Sequence, residues 1–319
     1  MKPLLHPNAL SRRSFVSSAL AASGLAALPG CIRNGVGFRP RVALQLYSVR
    51  DVIAEAGLPA VLDELRKMGY EGVEMSGYFT KGRKPLTAVE VRRILDDSGL
   101  VACGAHVARD ALSPGNIGET FDFNLAYGNS YIVCGGGGMR PDGSWKGTQD
   151  SWWEMIVKFY YDVAARAAAS GCRIGIHNHA WEFQTKLSDG TTVFDHIFSN
   201  TPKSVCMEQD VGWTAAAGCD PCGQYAKYPH RSPTLHAKEN GCLFDAENKR
   251  VWADDFDGVL GRPGRFKDGR AVKGVDWDAL FPVADADGVE WHVVECEANP
   301  NTLDAARGSI DFLRAKGRC

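Results

Sequence analysis

Eight short apolar runs punctuate the chain, at residues 41–49, 71–77, 101–107, 130–136, 173–179, 204–210, 234–239 and 290–297. Each is of strand length and is rich in Val, Ile, Leu, Ala or Cys, as expected for buried strands. Between them the apolar positions recur with a helical period. "LPAVLDELRKMG" (58–69), "TAVEVRRILDDSG" (87–99), "DWDALFPVADADG" (276–288) and "LDAARGSIDFLRAKG" (303–317) each end on Gly. In "MIVKFYYDVAARAAASG" (155–171), Ile156, Phe159, Val163 and Ala167 form one stripe and Gly171 supplies the stop. Strands that alternate with helices predict a parallel sheet, and eight such units predict a closed (β/α)8 TIM barrel. A doubly wound open sheet is the alternative. It is disfavoured because no GxGxxG follows the first run; "CGGGGM" (134–139) follows the fourth and lacks that spacing. The connection after the seventh run, 240–274, is long and irregular. On a barrel it belongs to the face that carries active sites.

The first residues do not fit this alternation. "SRRSFVSSALAASGLAALPGC" places Arg12 and Arg13 before Phe15 and a mild Ala/Leu run, the order of a twin-arginine export signal over residues 1–31. The run is too short and mild for a membrane span. "LPGC" offers Cys31 as a candidate lipidated residue and lipid anchor, and the expected location is the periplasm. The barrel is then expected over residues 38–319. Formal charge is −2 with the acids dispersed, so no basic stripe marks a nucleic-acid partner. Of ten cysteines, Cys103, Cys134, Cys172, Cys206 and Cys296 lie in or beside apolar runs, whereas Cys219, Cys222 and Cys242 lie in loop-like sequence and are the better disulfide candidates.

A TIM barrel places its active site at the C-terminal ends of its strands, and there the polar residues gather. The fifth run gives His177 and His179 on one face with Glu182 beyond; the sixth gives Glu208 and Asp210. The seventh gives His236 and Lys238, the eighth Glu295 and Glu297, and the earlier runs Gln45, Tyr47, Glu74 and His106. So many carboxylates and imidazoles on one rim need a counter-charge, which a divalent cation supplies. Glu182, Asp210, His236 and either Glu295 or Glu297 form a three-carboxylate, one-imidazole set suited to Mn²⁺, Co²⁺ or Mg²⁺, with Zn²⁺ also accommodated.

The motifs "LQLYSVRD", "GYEGVE", "GIHNHAWEF", "DVGWTAAAG", "LHAKE", "GVDW" and "VVECE", in order from about residue 41 to 315, resemble the sugar phosphate isomerase/epimerase family, the xylose isomerase-like TIM barrels. The resemblance implies a divalent metal held by residues of strands five to eight: Glu182 or a strand-five neighbour, Asp210, His236 and Glu295. The chain departs from the family pattern at two points. Many relatives carry the first Glu ligand near the position of His177, and many read HxKD where this chain reads "HAKE", with Glu239.

The chemistry expected is removal of a proton next to a sugar carbonyl through an enediolate, as an isomerase or epimerase. His179, His177 and Glu297 are candidate bases, and Lys238 can neutralise oxyanion charge. Tyr47, His106, Asn178 and Trp213 are expected to contact substrate, a small sugar or glycoside. Two alternatives remain open: a 3-keto-glycoside lyase or hydratase that expels the aglycone by β-elimination at the same site, and an exported sugar-binding protein without catalysis.

Overall fold

The computed structural model describes residues 39–77, 84–135, 139–141, 146–297 and 303–319. The export signal, Cys31 and part of the glycine run 134–139 lie outside the described residues. The strands are β1 (Arg41–Gln45), β2 (Gly72–Met75), β3 (Val101–Val107), β4 (Tyr131–Gly135), β5 (Arg173–His177), β6 (Val205–Asp210), β7 (Thr234–Ala237), β8 (Cys242–Phe244), β9 (Arg250–Trp252) and β10 (Trp291–Val294). Eight of them close a barrel in the order β1-β10-β7-β6-β5-β4-β3-β2, every pair parallel. The expected (β/α)8 barrel is therefore the fold. Each predicted apolar run supplies one barrel strand, and the strands end earlier than several of those runs. The chain leaves the ladder at Gln45, His177 and Ala237, where polar side chains begin to serve the mouth.

The helices follow from their sequence signals. Thr87 and Glu90 form a capping box: the Thr87 hydroxyl accepts from the Glu90 amide, and the Glu90 carboxylate accepts from the Thr87 amide at 2.7 Å. The helix Gln149–Ala169 buries Ile156, Val163 and Ala167 with Trp152, Trp153 and Tyr160, while Phe159 is partly buried. Ser170 closes it and Gly171, at φ 76°, turns the chain into β5.

The main apolar core lies between the outer faces of the strands and the helices. The lumen is apolar only in its lower part, where Ala43, Cys103, Trp291 and Val293 pack together and Tyr131 meets Val133 and Cys206. Above them Gln45, Glu74, Glu208 and His236 are fully buried and polar. The long connection after β7 is not wholly irregular. It carries the antiparallel hairpin β8–β9, whose runs are too short for their periodicity to be read in sequence. Among the described residues no helix is long and apolar enough to cross a membrane. Among the described residues Cys219, Cys222 and Cys242 form no disulfide.

Candidate metal centre

The parallel register sets the site. His177, the last residue of β5, stands level with Glu208 of β6, and Asp210, the last residue of β6, stands level with His236 of β7. Side chains two residues apart on a strand share a face, so all four turn into the lumen. Glu295, just beyond β10, joins them. His177, Asp210, His236 and Glu295 each present one donor atom, all within 4.8 Å of one another, and all four residues are buried. Asp210 Oδ2 lies 4.0 Å from His177 Nε2 and 4.0 Å from His236 Nδ1, and Glu295 Oε2 lies 3.0 Å from His236 Nδ1.

These residues fit a cation. The other oxygen of Asp210 accepts the Trp213 amide at 2.7 Å and so caps the next helix, but Oδ2 is buried with no hydrogen-bond partner among the described residues. A buried carboxylate oxygen without a donor carries a large desolvation penalty unless a positive charge faces it. Metal–donor bonds of about 2.0–2.2 Å place neighbouring and opposed donors roughly 3–4.4 Å apart, which spans the 3.0 and 4.0 Å separations above.

Two further carboxylates, Glu74 and Glu208, lie against the histidine rings. Glu208 Oε1 lies 3.0 Å from His236 Nε2, 2.6 Å from His106 Nε2 and 3.6 Å from His177 Nδ1, and Glu208 Oε2 accepts the Thr234 hydroxyl at 2.7 Å. Glu74 Oε2 lies 2.7 Å from His236 Nε2 and accepts from Gln45 Nε2 at 2.6 Å. Gly104 makes room for this acid, since a Cβ there would sit 2.6 Å from Glu74 Oε1. His106, His177, Glu208 and His236 also form a compact donor group. Its shortest contact is the hydrogen bond between His106 and Glu208 at 2.6 Å, so we read it as the support of the upper group.

The charges are interlocked. Burial works against the charged imidazole of His236, and the carboxylates of Glu208 and Glu74 overcome it, placing its pKa well above the usual value. Burial likewise opposes the Glu208 carboxylate, but His236 and His106 pull its pKa well below normal. Burial raises Asp210 to about 8; Glu295 adds to the rise, which Lys238 and His236 oppose. His177 is pushed down to about 4, first by burial and then by His236.

No family model matches the sequence. The rhizopine catabolism protein MocC of Rhizobium meliloti is 25% identical over 273 residues, 79% of this chain and 78% of that protein. A sugar phosphate isomerase/epimerase structure from Parabacteroides distasonis superposes with a TM-score of 0.66 at 19% identity, over 90% of this chain and 98% of that one. The 3-keto-D-glucoside 4-epimerase YcjR of E. coli superposes with a TM-score of 0.55 at 16% identity, over 87% of this chain and 100% of that one. This chain has the barrel fold of those structures.

The structure sorts the residues singled out in sequence. Asp210, His236 and Glu295 come together with His177, and Glu182 stands outside this four-donor group. The reason is local. After β5 the chain turns into a short helix, Trp181–Gln184, and Glu182 Oε2 accepts the His179 amide at 2.8 Å. His177, first considered as a base, therefore sits among the donors. Asn178, expected at the substrate, is buried and bound to its own fold: its Oδ1 accepts the Asp210 amide at 3.1 Å and its Nδ2 reaches the Asp210 carbonyl at 3.3 Å. His106 belongs to the layer around Glu208 and keeps a partly exposed edge.

The remaining residues border the mouth. Lys238 Nζ is 3.2 Å from Glu297 Oε2 and 5.1 Å from the Trp213 ring. The His179 ring lies 5.0 Å from His177 and 5.8 Å from Trp213. Trp213 is almost wholly buried, with Arg250 of the hairpin over its ring at 4.9 Å. Tyr47 is partly exposed and stacks against Arg50 at 4.0 Å. Glu239, the departure from HxKD, faces away from the donors. Its two oxygens accept from the Asn240, Gly261 and Val275 amides and the Trp277 indole, fastening the long connection to β7. A surface cavity of about 350 Å³ in that connection, lined by Asp255, Arg262 and Val272 among others, shares no residue with the donor group.

Sequence reasoning noticed Glu74 and Glu208 only as inward-facing acids and gave them no role. The available signal was their spacing, two residues before Ser76 and Asp210 on the same strand faces.

Proposed function

We propose that this protein is a divalent-metal-dependent carbohydrate enzyme that moves a proton at the carbon next to a sugar carbonyl, as an isomerase or epimerase. One observation carries the reading: strands β5, β6, β7 and β10 deliver four donors around a buried, unpartnered Asp210 oxygen. His177, Asp210, His236 and Glu295 would hold the ion. When bound, it would supply Lewis acidity toward a substrate carbonyl.

The chain's own groups provide the proton handling. Burial, with the neighbouring His177, keeps the His179 pKa well below the usual value, so its imidazole is neutral, and its place at the mouth makes it the candidate base. Its Nδ1 has no hydrogen-bond partner among the described residues. Lys238 stays charged: burial opposes the ammonium, but Glu297, Glu295 and Asp210 outweigh it. That ammonium can offset negative charge as it develops on a substrate oxygen. Partial exposure of His179 and Glu297 leaves both within reach of a ligand entering the mouth. Arg12, Arg13 and Cys31 support the further proposal that the enzyme works outside the cytoplasm, on a free sugar or glycoside, with a lipid anchor if Cys31 is acylated.

A second reading uses the same base. Proton removal beside the ketone of a 3-keto-glycoside would expel the aglycone. The structural likeness to a 3-keto-D-glucoside epimerase favours a keto-sugar of that kind. Incubation of the metal-loaded protein in D₂O with ketoses and 3-keto-glycosides tests both. Deuterium entering next to the carbonyl supports the first, and released aglycone supports the second. Binding of a sugar with neither outcome would overturn both and favour a non-catalytic binding protein.

A further inference from the structure

We propose that the centre selects a borderline transition-metal dication, of the Zn²⁺ or Co²⁺ kind, over Mg²⁺ and Ca²⁺, and that Glu208 is the positioning residue that sets this preference. The inference rests on the reading of His177, Asp210, His236 and Glu295 as metal ligands. It departs from the oxygen-rich set expected from sequence because His177 takes the place given to Glu182.

Two of the four donors are imidazole nitrogens, His177 Nε2 and His236 Nδ1. Magnesium and calcium favour oxygen donors, whereas imidazole suits zinc and its neighbours in the first transition row. The oxygens are also few. Asp210 offers only Oδ2, because its other oxygen accepts the Trp213 amide.

The far side of each ring faces the same carboxylate. Glu208 Oε1 is 3.0 Å from His236 Nε2 and 3.6 Å from His177 Nδ1. Glu74 Oε2 adds a second acceptor, 2.7 Å from His236 Nε2. A proton held on His236 Nε2 leaves the Nδ1 lone pair aimed at the centre, and the two carboxylates behind make it a better donor; His177 Nδ1 has no hydrogen-bond partner among the described residues, so Glu208 backs that ring by charge at 3.6 Å. Glu208 is itself fixed by Thr234 and His106 and fully buried. A hard ion surrounded by water gains little from such backing; a nitrogen-bound ion gains directly.

The test uses the full chain, stripped of metal and titrated with Co²⁺, read by its visible absorption and by competition. Zn²⁺ is expected to displace Co²⁺ near stoichiometry, and Mg²⁺ to fail even at about a thousandfold excess. Glu208→Gln should weaken Co²⁺ binding by roughly ten- to a hundredfold and alter the absorption band. Because Glu208→Gln can disturb folding, His177→Glu provides a second arm: exchanging nitrogen for oxygen should narrow the Zn²⁺/Mg²⁺ ratio by about tenfold or more. Displacement of Co²⁺ by comparable Mg²⁺, or an unchanged ratio in His177→Glu, overturns the inference and leaves the metal centre standing. An unchanged affinity and spectrum in folded Glu208→Gln removes the role of Glu208. Failure of the wild-type chain to bind Co²⁺ or Zn²⁺ at all overturns the metal reading itself.

Discussion

Asn178 grips the Asp210 backbone from both sides, its Oδ1 accepting the amide at 3.1 Å and its Nδ2 donating toward the carbonyl at 3.3 Å. The end of β5 is thereby locked to the end of β6, where two of the proposed ligands stand. Asn178→Ala leaves two buried backbone groups without this partner. It should lower stability by about 2 kcal/mol in denaturant unfolding. Asn178→Ala should also weaken metal binding, although Asn178 is not in the donor group.

Gly104 predicts a second effect. Its absent side chain leaves the space occupied by the Glu74 carboxylate, 2.6 Å from where a Cβ would lie. Gly104→Ala must push Glu74 off His236 or move β3. We expect a loss of about 1–3 kcal/mol in thermal unfolding, far more than an exposed strand glycine would show.

The barrel was legible in the sequence because each strand is a self-contained apolar run bounded by helix patterns, and Asp210, His236 and Glu295 were legible because strand alternation fixes their face. His177 was harder to place. It shares its face with His179, and nothing in the composition shows that the chain turns at Asn178 and sets one Glu182 oxygen on the His179 amide, outside the four-donor group. Asn178 looked like a substrate contact for the same reason, since its hydrogen bonds run to a strand 32 residues away. The β8–β9 hairpin has only three residues in each arm, below the length at which alternation carries information.

Glu239 should prove structural. Its carboxylate accepts the Gly261 and Val275 amides at 2.8 and 2.9 Å and the Trp277 indole at 2.8 Å. Glu239→Ala frees four donors, at Asn240, Gly261, Val275 and Trp277. Hydrogen exchange at Gly261 and Val275 should quicken, and global stability should fall by about 2 kcal/mol or more. Metal binding should persist.

Acid sensitivity follows from His292. Both its ring nitrogens are buried without hydrogen-bond partners among the described residues, and the ring stacks on Phe281 at 5.1 Å. Burial, reinforced by Arg318, pushes its pKa down to about 3. An unfolded histidine titrates near about 6.5. Between those values the unfolded chain binds the extra proton. The contribution is therefore fully present above about pH 6.5 and is lost as pH falls toward 3. At about pH 4.5 the loss is on the order of 2–3 kcal/mol. Unfolding of His292→Phe followed from about pH 7 to pH 4.5 should show a correspondingly smaller drop than the wild type.

The metal centre is the central claim, and elemental analysis tests it most directly. Protein purified without chelators should carry about one divalent ion per chain, and Asp210→Ala should carry almost none while keeping its circular dichroism. A metal-free wild type under metal-replete conditions, or an Asp210→Ala variant that retains its ion, would contradict the account.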